Sequence, residues 1–111
     1  MSAAGEGERA RVELAVVTGL GFEARILQRA FRRIAPTDIA LMTATALGEA
    51  ARAAAAGLAA EGATLLASFG VAGALRPDLR PGTVVITDAV VRQGKPRLAA
   101  STREVARLRL A

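Results

Sequence analysis

The feature that most constrains this chain is a short apolar run that stops at two glycines and gives way at once to a helical pattern. Residues 12–18 predict a strand, and its nearly unbroken apolar end indicates burial on both faces, as in a parallel sheet. Gly19-Leu20-Gly21 interrupts the run. From Phe22 the apolar residues recur every three or four positions, which predicts a helix whose apolar stripe ends at Ile34, before Pro36.

The alternation of strand and helix continues along the chain. In chain order, the further predicted elements are a strand at 39–43, an alanine-rich helix at 47–61 capped by Gly62, a strand at 64–69, a proline- and glycine-rich turn at 76–82, a strand at 83–91 and the opening of a helix at 102–110. We therefore predict the α/β class, with a mostly parallel sheet and flanking helices. Ligands bind beyond the carboxyl ends of such strands, so the loops at 18–23 and 70–74 are the candidate sites.

The composition excludes several kinds of chemistry. The 111 residues include no Cys and no His, which removes disulfides, thiolate nucleophiles, a Cys/His zinc site and a Ser-His-Asp triad, and leaves acid–base work to carboxylates. The polar leader, residues 1–11, is predicted to be disordered, and one domain is predicted at 12–111. Because neither a secretory signal nor a run of about 18 uncharged apolar residues is present, we expect a cytoplasmic protein without a membrane span.

The net charge of +5 raises the question of nucleic-acid binding. The basic residues are dispersed along the sequence, and the three phenylalanines do not interleave with them as stacking platforms would. We therefore predict a solvated surface and no nucleic-acid partner. A small basic binding module without chemistry stays open as an alternative, and its affinity for nucleic acid would fall steeply with salt.

The first glycine loop also admits a dinucleotide-binding Rossmann-like domain. Residues 19–24 satisfy G-x-G-x-x-A between a strand and a helix. That fingerprint also requires an acid at the carboxyl end of the second strand, whereas the nearest acid, Asp38, precedes it. In addition, the Glu23 carboxylate at the helix start would repel a pyrophosphate.

Glu23 has two interpretations. Its spacing alone favours an acid in the first helical turn that complements the helix dipole. The functional interpretation is a carboxylate aimed at a ligand held above Thr18 and Gly19, where it could take a proton from water. The small residues at 70–74 are likewise either a tight connection or a backbone that a planar or sugar-like ligand can approach closely.

Residues 66–88 resemble a segment of the superfamily of purine nucleoside phosphorylases and methylthioadenosine/adenosylhomocysteine nucleosidases. The shared pattern is a strand, a small-residue loop, an L-x-P-x-L-x-x-G-D turn and a further strand. Residues 17–27 look closest to the hopanoid-associated phosphorylases. The resemblance covers about residues 13–91 and implies an incomplete amino-terminal half of a nucleoside phosphorylase-like fold.

The resemblance implies cleavage of a purine nucleoside N-glycosidic bond through an oxocarbenium-like transition state, with hopanoid side-chain biosynthesis as a setting. Glu23 falls where the nucleosidases have the acid that positions or activates water, and its charge disfavours phosphate, so we expect hydrolysis rather than phosphorolysis. The resemblance implies a nucleoside as partner and no metal or redox cofactor, with phosphate as a possible co-substrate. The implied substrate-binding residues are Thr18 and Gly19 on the sugar side and Gly70, Val71, Ala72 and Gly73 at the base and ribose.

The chain also departs from the family pattern. Residues 71–74 read Val-Ala-Gly-Ala where the nucleosidases have Ser-Ala-Gly-Gly, and Thr83 stands where the turn usually has Asp. The family's purine-protonating aspartate belongs to the second half of the fold, beyond Ala111. We therefore expect a fragment that is inactive alone and that forms a homo-oligomer or depends on a further carboxy-terminal segment. An inactive remnant that serves only as a packing subunit is a further alternative.

Overall fold

The structure, a computed structural model, describes residues 11–110. The predicted disordered leader, apart from Arg11, lies outside this range. The chain divides into two compact units, one that ends at Ala72 and one that begins at Gly73, and each is described by itself. Among the described residues, no helix is long and apolar enough to cross a membrane.

The first unit alternates strands and helices. Its elements are β1 (Val12–Thr18), α1 (Gly21–Ile34), β2 (Ile39–Thr45), α2 (Glu49–Ala60) and β3 (Leu65–Ser68). The three strands form one parallel sheet in the order β2-β1-β3. This arrangement confirms the predicted α/β class with a parallel sheet and flanking helices.

The central strand of the sheet is β1, and it holds much of the core. Ala15 is fully buried and Val16 is only 2% exposed, because β1 has a strand on either side and helices that contact the sheet. In register, Thr18 lies opposite Thr45 of β2, while Val17 lies opposite Ser68 of β3. The carboxyl ends of all three strands therefore meet at one edge.

Helix α1 begins after its N-cap, Leu20, and its C-cap is Ala35, whose φ of 47° is left-handed. Only part of its apolar stripe is buried. Leu27 and Phe31 are half-buried, whereas Phe22 and Ile26 are exposed. The six residues of the stripe span about half of the helix surface, which is wider than the sheet can cover; they are Phe22, Ile26, Leu27, Ala30, Phe31 and Ile34. Only part of the stripe is therefore buried.

Helix α2 starts two residues later than predicted, after Gly48, whose φ is +59°. Its C-cap is Glu61, and the glycine expected there, Gly62, follows with a φ of +110°. Gly62 supplies the left-handed conformation that commonly comes directly after a helix C-cap.

The second unit contains a short antiparallel pair, β4 (Ala89–Val90) and β5 (Leu98–Ala99), and helix α3 (Thr102–Leu110). The helix confirms the prediction at 102–110, whereas the strand predicted at 83–91 is wrong except for its two residues in β4. Val84 and Val85 are 84% and 68% exposed. β-branched residues favour a strand only where a neighbouring strand supplies hydrogen bonds and packing, and residues 83–87 have no such partner within the described part of this unit.

Candidate functional site

The edge where the three parallel strands end brings together the first glycine loop and the start of the second. Thr18 is the last residue of β1 and Gly19 follows it, while Gly70 comes two residues after β3. The sheet hydrogen bonding extends to this edge, because the Phe69 N–H donates to the Val17 carbonyl at 3.1 Å. Gly70 and Val71 therefore leave the sheet beside the end of β1.

Glu23 joins these two loops. It is the third residue of α1, and its side chain is only 4% exposed. One carboxylate oxygen, Oε1, accepts hydrogen bonds from the backbone N–H groups of Gly19 at 3.1 Å and Leu20 at 2.9 Å. The other, Oε2, accepts one from the N–H of Val71 at 2.8 Å. A single carboxylate thus contacts both sequence-predicted loops.

The contacts of Glu23 include one that caps the helix and one that does not. Its bond to the N-cap N–H of Leu20 caps the first turn of α1, as an acid at this position commonly does. Its bond to Val71 reaches 48 residues along the chain and has no role in capping a helix. The carboxylate therefore stabilises the helix start and also faces the loop after β3.

The hydrogen bonds lower the pKa of the Glu23 carboxyl below its ordinary value of 4.5. The N–H of Val71 contributes most to this shift, and burial opposes it by disfavouring the charged form. The N–H groups of Leu20 and Gly19 lower the pKa further. The side chain is accordingly an ionised carboxylate at neutral pH.

At Gly19 and Gly70, neighbouring side chains come too close to leave room for a Cβ atom. A Cβ at Gly70 would lie 2.7 Å from Glu23 Oε2, and a Cβ at Gly19 would lie 2.7 Å from Leu47 Cδ2. Real Cβ atoms are not found so close to a neighbour, so a side chain at Gly70 would push against the carboxylate. Glycine at position 70 is what lets Glu23 reach Val71.

Thr18 lies beneath the site rather than on its surface. It is 1% exposed, and its hydroxyl lies 3.1 Å from the hydroxyl of Thr45. Thr45 is exposed, and so is Leu47, which is 66% exposed beside Gly19. The sequence prediction missed Thr45 and Leu47; the signal that could have found them is their place at the end of β2, the strand parallel to β1.

The remaining predicted residues belong to the loop after β3. Val71 enters the site through its backbone, while its side chain is 63% exposed. Ala72 is exposed next to it. Gly73 is the first residue of the second unit, and nothing lies within 4 Å of the position that its Cβ would take.

The comparisons with known proteins identify the family at this point. A family model described as the phosphorylase superfamily matches residues 15–106, which include both glycine loops. The chain belongs to the phosphorylase superfamily. This confirms the resemblance, whereas closeness to the hopanoid-associated members stays a prediction. Comparison with curated proteins and with solved structures gives no significant match.

Membership of the phosphorylase superfamily indicates an enzyme family of the nucleoside phosphorylase or nucleosidase type.

The dinucleotide-binding alternative requires an acid at the carboxyl end of β2, the sheet edge at which Glu23 also lies. Asp38 instead precedes β2, and its carbonyl accepts a hydrogen bond from the N–H of Val12 at the start of β1, at 2.9 Å. It therefore lies at the opposite, amino-terminal edge. No group of three acidic side chains that could hold a metal ion occurs among residues 11–110.

Proposed function

We propose that this phosphorylase-superfamily chain contributes to hydrolysis of a purine nucleoside, with Glu23 as the residue that orients and deprotonates the attacking water. In this reaction the bond from C1′ to the base nitrogen breaks, and the base leaves with the electron pair. The water oxygen forms the new bond to C1′, and its proton passes to the Glu23 carboxylate. Family membership and the position of this carboxylate support the proposal.

The observation that carries the proposal is the way in which the hydrogen-bonding capacity of Glu23 is used. An ionised carboxylate has about four lone-pair positions, two on each oxygen. Oε1 accepts two backbone N–H bonds, whereas Oε2 accepts one. Oε2 therefore retains a position at which it can accept a hydrogen bond from a water molecule.

The same contacts favour water over phosphate as the attacking group. The N–H groups of Gly19, Leu20 and Val71 would be suitable donors to an anion, but the carboxylate of Glu23 already occupies them. A phosphate would have to displace this carboxylate or lie beside its negative charge. Neutral water meets neither obstacle.

We place the ribose of the substrate near Gly19 and Gly70, and its base near Val71 and Ala72, in line with what the resemblance implies. Thr18 supports this surface from below, and we assign to Thr45, an exposed residue whose hydroxyl lies 3.1 Å from that of Thr18, a hydrogen bond to the sugar. The resemblance of residues 17–27 to hopanoid-associated phosphorylases makes hopanoid side-chain biosynthesis the setting that we propose. Phosphate stays the alternative co-substrate, and its product would be a sugar 1-phosphate instead of the free sugar.

The experiment measures base and sugar released by the full chain from a panel of purine nucleosides, with and without inorganic phosphate. We expect free base and free sugar in both conditions, in contrast to the inactivity that the resemblance implies for this chain alone, and a loss of about 100-fold or more in Glu23→Gln. The matched control is Glu49→Gln, because Glu49 is also an acid in the first turn of a helix but is exposed. Circular dichroism establishes that both variants fold.

Three outcomes would overturn the proposal. Release of base at the wild-type rate by a folded Glu23→Gln variant would remove Glu23 from the chemistry. A sugar 1-phosphate as the main product would replace hydrolysis by phosphorolysis. No release from any purine nucleoside by the folded wild-type chain would leave the packing-subunit alternative in its place.

A further inference from the structure

The surface of α1 that lies away from the sheet carries an apolar strip beside a row of arginines. Phe22 and Ile26, one turn apart, are 40% and 51% exposed. The arginines recur at four-residue spacing, so they form a row along the helix next to this strip. Together these side chains enclose a shallow groove of about 390 Å³, which we call the outer α1 groove. Its lining residues are Phe22, Arg25, Ile26, Arg29, Ala30 and Arg33.

The proposed reaction does not use this groove. Glu23 lies next to Phe22 in the sequence, but its side chain is buried and bonded to the two glycine loops. The residues of α1 that contact the sheet lie on the other side of the helix, where Ala24 is buried and Leu27 is half-buried. The groove is therefore a second surface with its own chemistry.

We propose that the outer α1 groove binds an acidic amphipathic helix of another protein. Three guanidinium groups at four-residue spacing match carboxylates at the same spacing on a facing helix. Phe22 and Ile26 would take apolar side chains from that helix, in the manner of a helix bound in a groove. No acidic residue lines the groove to weaken this attraction.

A second copy of the chain does not match the groove. Each described helix contains one acidic residue, namely Glu23 in α1, Glu49 in α2 and Glu104 in α3, so none of them presents a row of carboxylates. Two copies that met through the outer α1 groove would set arginine against arginine. The charge pattern therefore favours a different, acidic partner.

A lipid bilayer also matches the groove less well than a helix does. Arginine is longer than phenylalanine or isoleucine, so an extended guanidinium group reaches further from the helix than the apolar side chains beside it. A helix that binds a bilayer needs a broad apolar face that can enter the lipid. Here the apolar lining consists of Phe22, Ile26 and Ala30 alone.

The test uses the full chain and two synthetic peptides of about 14 residues, the length of α1. In the patterned peptide, glutamates recur every four residues beside leucines; the scrambled peptide has the same composition without this register. By fluorescence anisotropy, we expect the patterned peptide to bind at least about tenfold more tightly than the scrambled one.

Three variants locate the binding. We expect the triple variant Arg25→Gln, Arg29→Gln, Arg33→Gln to lose the preference for the patterned peptide, and Ile26→Ser to weaken the binding of that peptide. The matched control changes the same charge on α3, through Arg103→Gln, Arg107→Gln and Arg109→Gln. We expect this control to stay within about twofold of the wild type, because non-specific attraction depends on net charge whereas docking depends on position.

The proposal is overturned if both peptides bind equally, or if the α3 control loses as much affinity as the α1 variant. It is also overturned if the α1 arginines are needed for binding to vesicles of phosphatidylcholine and phosphatidylglycerol while neither peptide is preferred, which would assign the groove to a lipid surface. A dimer in sedimentation that the α1 variant abolishes would assign the groove to a second copy.

Discussion

The two units of this chain differ in whether their segments of high strand propensity form strands. In the first unit, β1 (Val12–Thr18) has a parallel partner on each side and supplies the buried residues Ala15 and Val16. In the second unit, residues 83–91 are as rich in β-branched side chains, yet only Ala89–Val90 belong to a strand. The comparison shows that strand propensity becomes structure where partners supply a ladder and a core.

The largest difference between the units should appear when their glycines are replaced. In Gly70→Ala, the new methyl group meets the Glu23 carboxylate at 2.7 Å. We expect a loss of about 1–3 kcal/mol in the free energy of unfolding, measured in urea, and loss of base release. Gly73→Ala is the control, because nothing lies within 4 Å of its Cβ position. Equal effects of the two substitutions would contradict the close approach.

Two valines extend the comparison to the core. Val16→Ala removes two buried carbon groups from the centre of the sheet, so we expect a loss of about 2 kcal/mol in the free energy of unfolding. Val84→Ala alters a side chain that is 84% exposed, and we expect a change within about 0.5 kcal/mol. A large effect at Val84 in chemical denaturation would show that residues 83–87 pack in solution.

The stability that the Glu23 carboxylate gives to the first unit should depend on pH. Because the folded state lowers the pKa of Glu23, its ionised form stabilises the fold above the unfolded value of about 4.5. This contribution is lost as the pH falls below 4.5 and through the folded pKa. Relative to Glu23→Gln, the wild type should therefore lose its stability advantage on acidification in thermal melts. A difference that stays constant from pH 7 to pH 3 would contradict the lowered pKa.

The smallest effect is expected at an ion pair of the second unit. Arg109 lies 3.5 Å from Asp88, and both side chains are more than half exposed. Water and salt screen such a pair, so Asp88→Asn should change the free energy of unfolding by less than about 0.5 kcal/mol. A larger effect in a urea titration would indicate that this unit is held together by its charges.

The sequence was most informative where local pattern and neighbouring strands agreed. β1 has the predicted bounds, and α1 begins one residue before Phe22 and ends at Ile34 as predicted. Its acidic first turn and its arginines in the last turn indicate both ends. The meeting of Glu23 with the loop after β3 followed from the rule that parallel strands end at a common edge.

Other features depended on information that a linear pattern lacks. Thr45 and Leu47 are ordinary residues in the sequence, and only the register between β1 and β2 places them beside Thr18 and Gly19. The strand predicted at 83–91 was wrong because propensity does not specify a partner. The wide stripe on α1 could not reveal which of its sides faces the sheet.

The order of strands in the first unit explains why Glu23 can link two segments that lie far apart in the sequence. The earliest strand in the chain is the middle one in the sheet, so the chain leaves it toward one neighbour and later returns to its other flank. The backbone hydrogen bonds between β1 and β3 extend as far as Phe69, and beyond it the segments that follow the two strands continue separately. The Glu23 carboxylate then links these segments, because it accepts hydrogen bonds from Leu20 after β1 and from Val71 after β3. A change in either connecting segment that moved the amide of Leu20 or Val71 away from Glu23 would therefore separate the two loops.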